Sequence, residues 1–183
     1  ITNTIMHKLN FYFINNFDQN HIKKLPKNIA IIYRNYDENY DEKKILKIKK
    51  FCQANRRKFF LANDINLAIK LNLDGAYIPS FNKNLSVAKL KLKKFTLLGS
   101  AHNIKEINQK IMQKIDYLFI SPIFKTKMKN KYLGLIKFNI LSNLFNKNIV
   151  ALGGINKKNI NIIKNKKNYS FASISYIKNN TII

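Results

Sequence analysis

The stretch "FTLLGSAHNIKEINQKIMQKIDYLFISPI" (95–123) reads as a strand, a helix and a second strand. "FTLLGSA" is a short apolar run rich in β-formers, and "YLFISPI" is another. Between them, "NIKEINQKIMQKI" (103–115) carries its apolar residues at helical spacing. Asn103 sits where a helix N-cap is wanted. A strand, a helix and a strand in succession make the βα rhythm of a parallel sheet.

Six more runs of the first kind lie outward from this unit. They are "NFYFINN" near Phe11, "NIAIIYR" near Ile31, "KFFLAN" near Phe60, "GAYIPS" near Tyr77, "IVALGGI" near Ala151 and "SFASISY" near Ser173. Helical periodicity fills several of the gaps. "DEKKILKIKKFCQAN" places Ile45, Ile48, Phe51 and Cys52 on one face, and "DINLAIKLN" and "LIKFNILSNLFN" behave similarly. Asn63 and Asn156 are expected to cap helices as Asn103 does. Eight strand–helix units predict a closed (β/α)8 TIM barrel, compact beside the usual ~250 residues. An open doubly wound sheet is the alternative, but no G-x-G-x-x-G fingerprint supports it. Too few residues follow "SFASIS" for a full last helix. That helix is expected to be truncated or replaced by the N-terminal segment. No linker, low-complexity tail or domain boundary divides the chain, so 1–183 reads as one domain.

The formal charge of +25 asks for an explanation. A basic surface for nucleic acid is one. Against it, Arg34, Arg56 and Arg57 are the only arginines among 34 basic residues, and the lysines are dispersed along the chain with Asn and Ile. Those three residue types share A/T-rich codons, so compositional drift accounts for the charge. No specific nucleic-acid partner is expected; any such binding should be weak and steeply salt-dependent. No apolar run reaches the ~18 residues of a membrane span, and the lone Cys52 excludes an internal disulfide. The opening "ITNTIMHKLN" is not expected to act as a signal peptide, since no continuous apolar run follows its charges. No membrane association and a cytoplasmic location are the expectations. Oligomeric state is open.

In a barrel, ligands sit at the C-terminal ends of the strands. The polar or small residues expected there are Arg34, Asn63 with Asp64, Ser80, Ser100 with His102, Ser121, Thr126, Gly153 with Gly154, and Ser175. The chain has only five glycines, yet two stand together in "IVALGGIN". A glycine pair after a strand permits a sharp turn and a close approach. It serves either a bare strand-to-helix turn or a phosphate, and the late strands ending in Gly-Gly and Ser-Ile-Ser suggest the usual barrel phosphate site.

Four ordered motifs then carry a resemblance. "FLANDINLAIKLNLDGAYIPS" resembles an Asn-Asp after strand three followed by "GADGVHLG". "LLGSAHNIKE" is similar to "GVSAHT-x-x-E", "DYLFISPIFKTKMK" to "DYVGFGPVFPTxTK" and "VALGGINKKNI" to "VAIGGITPENA". The family is the thiamine phosphate synthase and thiazole tautomerase superfamily of TIM barrels, matched over 59–177. The resemblance implies an enzyme of thiamine biosynthesis that joins a hydroxymethylpyrimidine diphosphate to a thiazole phosphate and releases pyrophosphate. It implies small phosphorylated substrates and Mg²⁺. Arg34, Asn63, Ser100 and Lys129 fall on pyrophosphate-contacting positions, Asp64 on a magnesium ligand and Thr126 on a threonine near the thiazole. Gly153, Gly154, Ile174 and Ser175 fall on the phosphate-binding positions.

The departures are concentrated at one end. Ile32 and Tyr36 replace the Gln and Lys that flank the strand-two arginine, and the second magnesium carboxylate falls near Asn82. Lys125 and Met128 replace a Pro and a Thr of the strand-six motif. A degenerate barrel with tautomerase chemistry or none is therefore an alternative, with His102 as its proton-transfer residue. A lysine-rich polyanion binder is the alternative of another class. His102 also reads as a capping residue, and Asp64 as an N-cap.

Overall fold

The computed structural model describes residues 8–36, 40–90, 92–127, 130–165 and 169–179. Lys129, Met128 and residues 1–7 at the start of the N-terminal segment lie outside the described residues. Strands form at each of the eight expected runs: β1 Asn10–Ile14, β2 Ile29–Tyr33, β3 Phe59–Ala62, β4 Gly75–Ile78, β5 Thr96–Ala101, β6 Tyr117–Ile120, β7 Asn148–Leu152 and β8 Tyr169–Ser173. All pair in parallel and in sequence order. Phe11 opposite Ala172 and Tyr12 opposite Ser173 join β1 to β8 and close the barrel.

Strand alternation sorts the apolar residues into two cores. Inside the barrel lie Phe11, Phe13, Phe60, Tyr77 and Phe119 with the small Ala30, Ala62 and Ala172. Large rings against small side chains fill the interior, and Phe119 packs tilted or edge-on against Phe11, Phe13 and Tyr77 at centroid distances of 4.9, 6.0 and 5.3 Å. Outside, residues of opposite parity such as Ile31, Leu61, Leu97 and Leu118 meet Ile45, Ile48, Ile107 and Phe138 of the helices. The second core is the larger and holds the helical layer to the barrel.

The helices are α1 Gln19–Lys24, α2 Glu42–Ala54, α3 Ile65–Lys70, α4 Ile104–Met112, α5 Gly134–Ser142, α6 Ile160–Lys164 and α7 Ser175–Asn179. A 3-10 turn, η1 Leu85–Ala88, stands in place of a helix between β4 and β5. Short helices, α7 after β8 among them, account for the compact size. Asn103 caps α4, its side chain accepting from Glu106 N at 3.0 Å. Two other cap expectations need correction. Asp64, not Asn63, caps α3, because Asn63 adopts a left-handed φ of 60° that ends β3. Asn159 occupies the N-cap position of α6, while Asn156 makes a turn by accepting from Lys158 N. Cys52 is buried on α2, and burial pushes its thiol up to about 12, as an inert core cysteine requires.

Candidate active site

The C-terminal ends of β1, β2, β3 and β8 frame one sector of the barrel mouth. Arg34 follows β2 on the inward parity of Ala30 and Ile32. Its guanidinium lies 5.1 Å from the centroid of the Phe13 ring and 5.9 Å from that of Tyr36. Aromatic faces steady the cation without neutralising it. Arg34 and Ile174 line one cavity of about 290 Å³ together with Phe13, Ile14, Asn15 and Tyr36. The mouth therefore brings a β2 candidate and a β8 candidate to the same space.

Asn63 and Asp64 line a neighbouring cavity of about 380 Å³, which shares Asn35 and Tyr36 with the first. Tyr36 meets the exposed Phe81 edge-on at 5.6 Å. Burial raises the Tyr36 phenol well above its ordinary value, and raises Tyr40 to about 12. Tyr40 thus stays protonated and donates to Ala62 O at 2.6 Å. The aromatic residues here are walls rather than acids or bases.

Asp64 has one oxygen engaged: Oδ1 accepts from Leu67 N at 2.9 Å, the N-cap bond of α3. Asn82, where the resemblance implies a carboxylate, instead donates its amide Nδ2 to Asn63 Oδ1 at 2.8 Å. Among the described residues no group of three or more His, Cys, Asp and Glu side chains converges to hold a metal ion. A cation in this corner would have Asp64 as its protein carboxylate and would depend on ligand oxygens for the rest.

The other candidates lie further round. Ser100 is buried on the inward side of β5, one residue before the strand's C-terminal end. His102 is tied to α4 through Glu106, whose Oε2 lies 2.8 Å from both His102 N and His102 Nδ1. Thr126 is half-buried in the loop between β6 and α5. Ser175 opens α7 and lines a separate cavity of about 480 Å³ with Ile155, Asn156 and Lys157. The expected site is thus brought together at Arg34, Asn63, Asp64 and Ile174, with Ser175 facing a second space.

The Gly153–Gly154 turn has a visible packing cause. Both residues are left-handed, at φ 93° and 72°. A Cβ on Gly154 would lie 2.5 Å from the carbonyl oxygens of Phe124 and Lys125, and one on Gly153 2.7 Å from Pro122 Cβ. The turn and the loop after β6 are stitched by Ile123 N to Leu152 O and Phe124 N to Gly153 O. The close approach is therefore to the protein's own backbone first.

Glu106 allows a direct test of the β5–α4 junction. Burial pushes its carboxyl up, but hydrogen bonds from the His102 side chain and backbone and from Asn103 outweigh this and hold it below its ordinary 4.5. A depressed folded value means stability present above 4.5 and lost as pH falls through that folded value. Glu106→Gln is expected to cost on the order of 1 kcal/mol at pH 7, with the gap closing below the ordinary carboxyl range. Urea denaturation of both proteins from pH 7 to pH 3 measures it. A gap that persists unchanged in acid would show that the charge is irrelevant.

Sequence reading missed Gln113 and Lys110, both fully buried, and Phe81. Lys110 and Gln113 grip the loop after β4 from behind, but a lysine in a lysine-rich helix carries no signal of burial.

Comparison with known proteins supplies the lineage. The model of the family described as thiamine monophosphate synthase matches residues 23–177. A thiamine-phosphate synthase of Prochlorococcus marinus subsp. pastoris is 27% identical over 186 aligned positions, covering 96% of this chain and 53% of the relative. One of Streptococcus pneumoniae is 32% identical over 143 positions, covering 73% of this chain and 68% of the relative. The chain spans about half the length of the first of these relatives. Its fold is similar to that of a thiamine phosphate pyrophosphorylase from Pyrococcus furiosus, with a TM-score of 0.74 at 19% identity, covering 95% of this chain and 91% of that one. A citrate synthase with a TM-score of 0.66 at 8% identity shares the barrel as well, so the fold by itself carries no activity. The family match covers most of the chain and every strand from β2 to β8: the chain belongs to the thiamine monophosphate synthase family.

Proposed function

We propose that this chain carries a thiamine phosphate synthase activity, joining a hydroxymethylpyrimidine diphosphate to a thiazole phosphate. The carrying observation is that the family match over 23–177 coincides with an inward Arg34, ring-held at the mouth, in a cavity adjoining Asn63 and Asp64. In the reaction the thiazole nitrogen forms a C–N bond to the pyrimidine methylene carbon. The C–O bond to the diphosphate breaks, and pyrophosphate leaves with the electron pair. The barrier falls when fixed positive groups face the developing charge.

Arg34 suits that task because its guanidinium, lying against the Phe13 and Tyr36 rings, is a fixed cation at the cavity. The Asn63 amide adds a neutral donor. Ser100 and Lys129 are assigned to the pyrophosphate, and Thr126 to the thiazole, on family position. The turn at Gly153–Gly154 with Ile174 and Ser175 is assigned to the thiazole phosphate. Mg²⁺, held by Asp64 and the diphosphate's own oxygens, would supply further positive charge to the leaving group. A family position for Asp64 and its place in the Asn63 cavity support this assignment. Tyr36 and Phe81 form an aromatic wall beside the Asn63 cavity.

A product assay with both precursors and Mg²⁺ decides the reading. Formation of thiamine phosphate with stoichiometric pyrophosphate is expected. Binding of thiazole phosphate without product at any Mg²⁺ concentration would sink it. A second reading, thiazole tautomerisation, is favoured by one observation: the His102 Nδ1–Glu106 contact of 2.8 Å fixes the imidazole tautomer. Deuterium exchange into a thiazole phosphate, lost in His102→Gln, distinguishes it.

A further inference from the structure

Lys110 lies on α4 with no exposure, and its ammonium has three hydrogen-bond acceptors: Pro79 O at 2.8 Å, Asn82 O at 3.0 Å and Gln113 Oε1 at 2.8 Å. Three N–H groups meet three oxygens, so its donor capacity is complete. The equally buried Gln113 donates to Asn82 O at 3.0 Å and Asn84 O at 2.9 Å. Gln109 adds a bond to Lys83 O at 2.8 Å. One helix thus holds the carbonyls of loop 79–84 from behind. Burying an ammonium is costly, and an apolar side chain of similar length packs at lower cost. What the charge adds is a fixed loop shape.

The consequence reaches the mouth through Asn82. Asn82 Oδ1 accepts from Asn84 N at 3.0 Å, and a backbone N–H can only donate. Asn82 Nδ2 is therefore the group that faces Asn63 Oδ1, at 2.8 Å. With its oxygen taken, Asn63 is left with its own Nδ2 hydrogens for a ligand. Its left-handed backbone, tied by Asn63 N to Tyr77 O at 2.7 Å, holds the residue in place.

We propose that Lys110, Gln113 and Asn82 are positioning residues that polarise the Asn63 amide, so that it presents hydrogen-bond donors to an anionic oxygen at the barrel mouth. The inference rests on the reading of that mouth as a diphosphate site and adds what makes Asn63 a donor there. It also assigns a role to the amide that stands where a carboxylate was expected.

The test is calorimetric titration of the full chain with inorganic pyrophosphate and Mg²⁺, and separately with thiazole phosphate. Asn82→Ala, at a half-buried loop position, is expected to weaken pyrophosphate binding at least about fivefold. Thiazole phosphate binding should stay within about twofold, since the Gly153–Gly154 turn assigned to it follows β7, which stands opposite β3 in the closed barrel. Lys110→Met should lose a similar factor, and the double variant should lose no more than the larger single loss. That non-additivity is what action through Asn82 requires and a merely structural lysine does not produce. Should Lys110→Met fail to fold, the side-chain amide NMR signal of Asn63 in Asn82→Ala carries the test; it should shift from its wild-type position. A smaller loss in Asn82→Ala, additive losses or an unshifted Asn63 amide overturns the proposal. Wild-type protein that binds thiazole phosphate but no pyrophosphate overturns the reading of this corner and the proposal with it.

Discussion

Gly154→Ala is expected to destabilise the protein by on the order of 3–5 kcal/mol, while Gly134→Ala costs only about 1 kcal/mol. The two glycines have nearly the same backbone, at φ 72° and 69°. Their surroundings differ. A Cβ on Gly134 meets nothing within 4 Å, whereas one on Gly154 lies 2.5 Å from two carbonyl oxygens of the loop after β6. Gly134→Ala therefore measures left-handed strain alone, and the excess in Gly154→Ala measures the close approach. Carbonyl oxygens cannot rotate away as a flexible side chain does, and these belong to the segment stitched to β7 by Phe124 N and Ile123 N. Chemical denaturation with equal m-values for the two variants supplies the comparison. Equal losses would mean that the β6 loop yields freely. The close approach would then place no demand on the turn, and a bound phosphate would be the better reason for the pair.

The barrel was legible because its strands are short, apolar and bounded by polar turns at regular intervals. Runs such as "KFFLAN" and "YLFISPI" bury both faces, inward on the ring-filled core and outward on the helices, so nearly every residue is apolar. The 3-10 turn after β4 was not legible. Its N-cap Asn84 and the preceding Asn82 are held by Lys110 and Gln113 from 28 or more residues away, and local periodicity does not contain that. At the site, Arg34 could be placed from strand parity alone. Asn63 could be placed at a strand end but not oriented, since its amide direction depends on Asn82 and Asn84.

The carboxylates explain the rest. The chain has nine acidic residues against 34 basic ones. Asp18, Asp41 and Asp64 cap helices by accepting from His21 N, Lys43 N and Leu67 N. Asp74 and Asp116 accept from Phe59 N and Leu97 N at the starts of β3 and β5, and Glu106 accepts from His102 N. Six carboxylates thus satisfy backbone N–H groups that a helix end or a strand start leaves open. In so basic a chain, an acid at a strand end points to backbone capping as strongly as to catalysis. Asp64 has both claims on it.

Asp64→Asn and Asp64→Ala separate the two. Asparagine is about as good an N-cap as aspartate, whereas alanine loses roughly 1 kcal/mol. Asp64→Asn should keep the bond to Leu67 N and a nearly unchanged denaturation midpoint; Asp64→Ala should lower it by that amount. Turnover responds to a different property. Mg²⁺ needs anionic oxygen, and Asp64 has the one carboxylate in the Asn63 cavity among the described residues. If it holds the ion with the diphosphate, both variants lose at least about 100-fold in Mg²⁺-supported thiamine phosphate formation. Thiazole phosphate binding at the Gly154 side should hardly change in either. Steady-state kinetics over a Mg²⁺ series, paired with denaturation of the same samples, reads both properties. Asp64→Asn with wild-type turnover would leave Asp64 as the cap of α3 and nothing more. The metal's oxygens would then have to come from the substrate, with Arg34 and the polarised Asn63 amide meeting the leaving pyrophosphate directly.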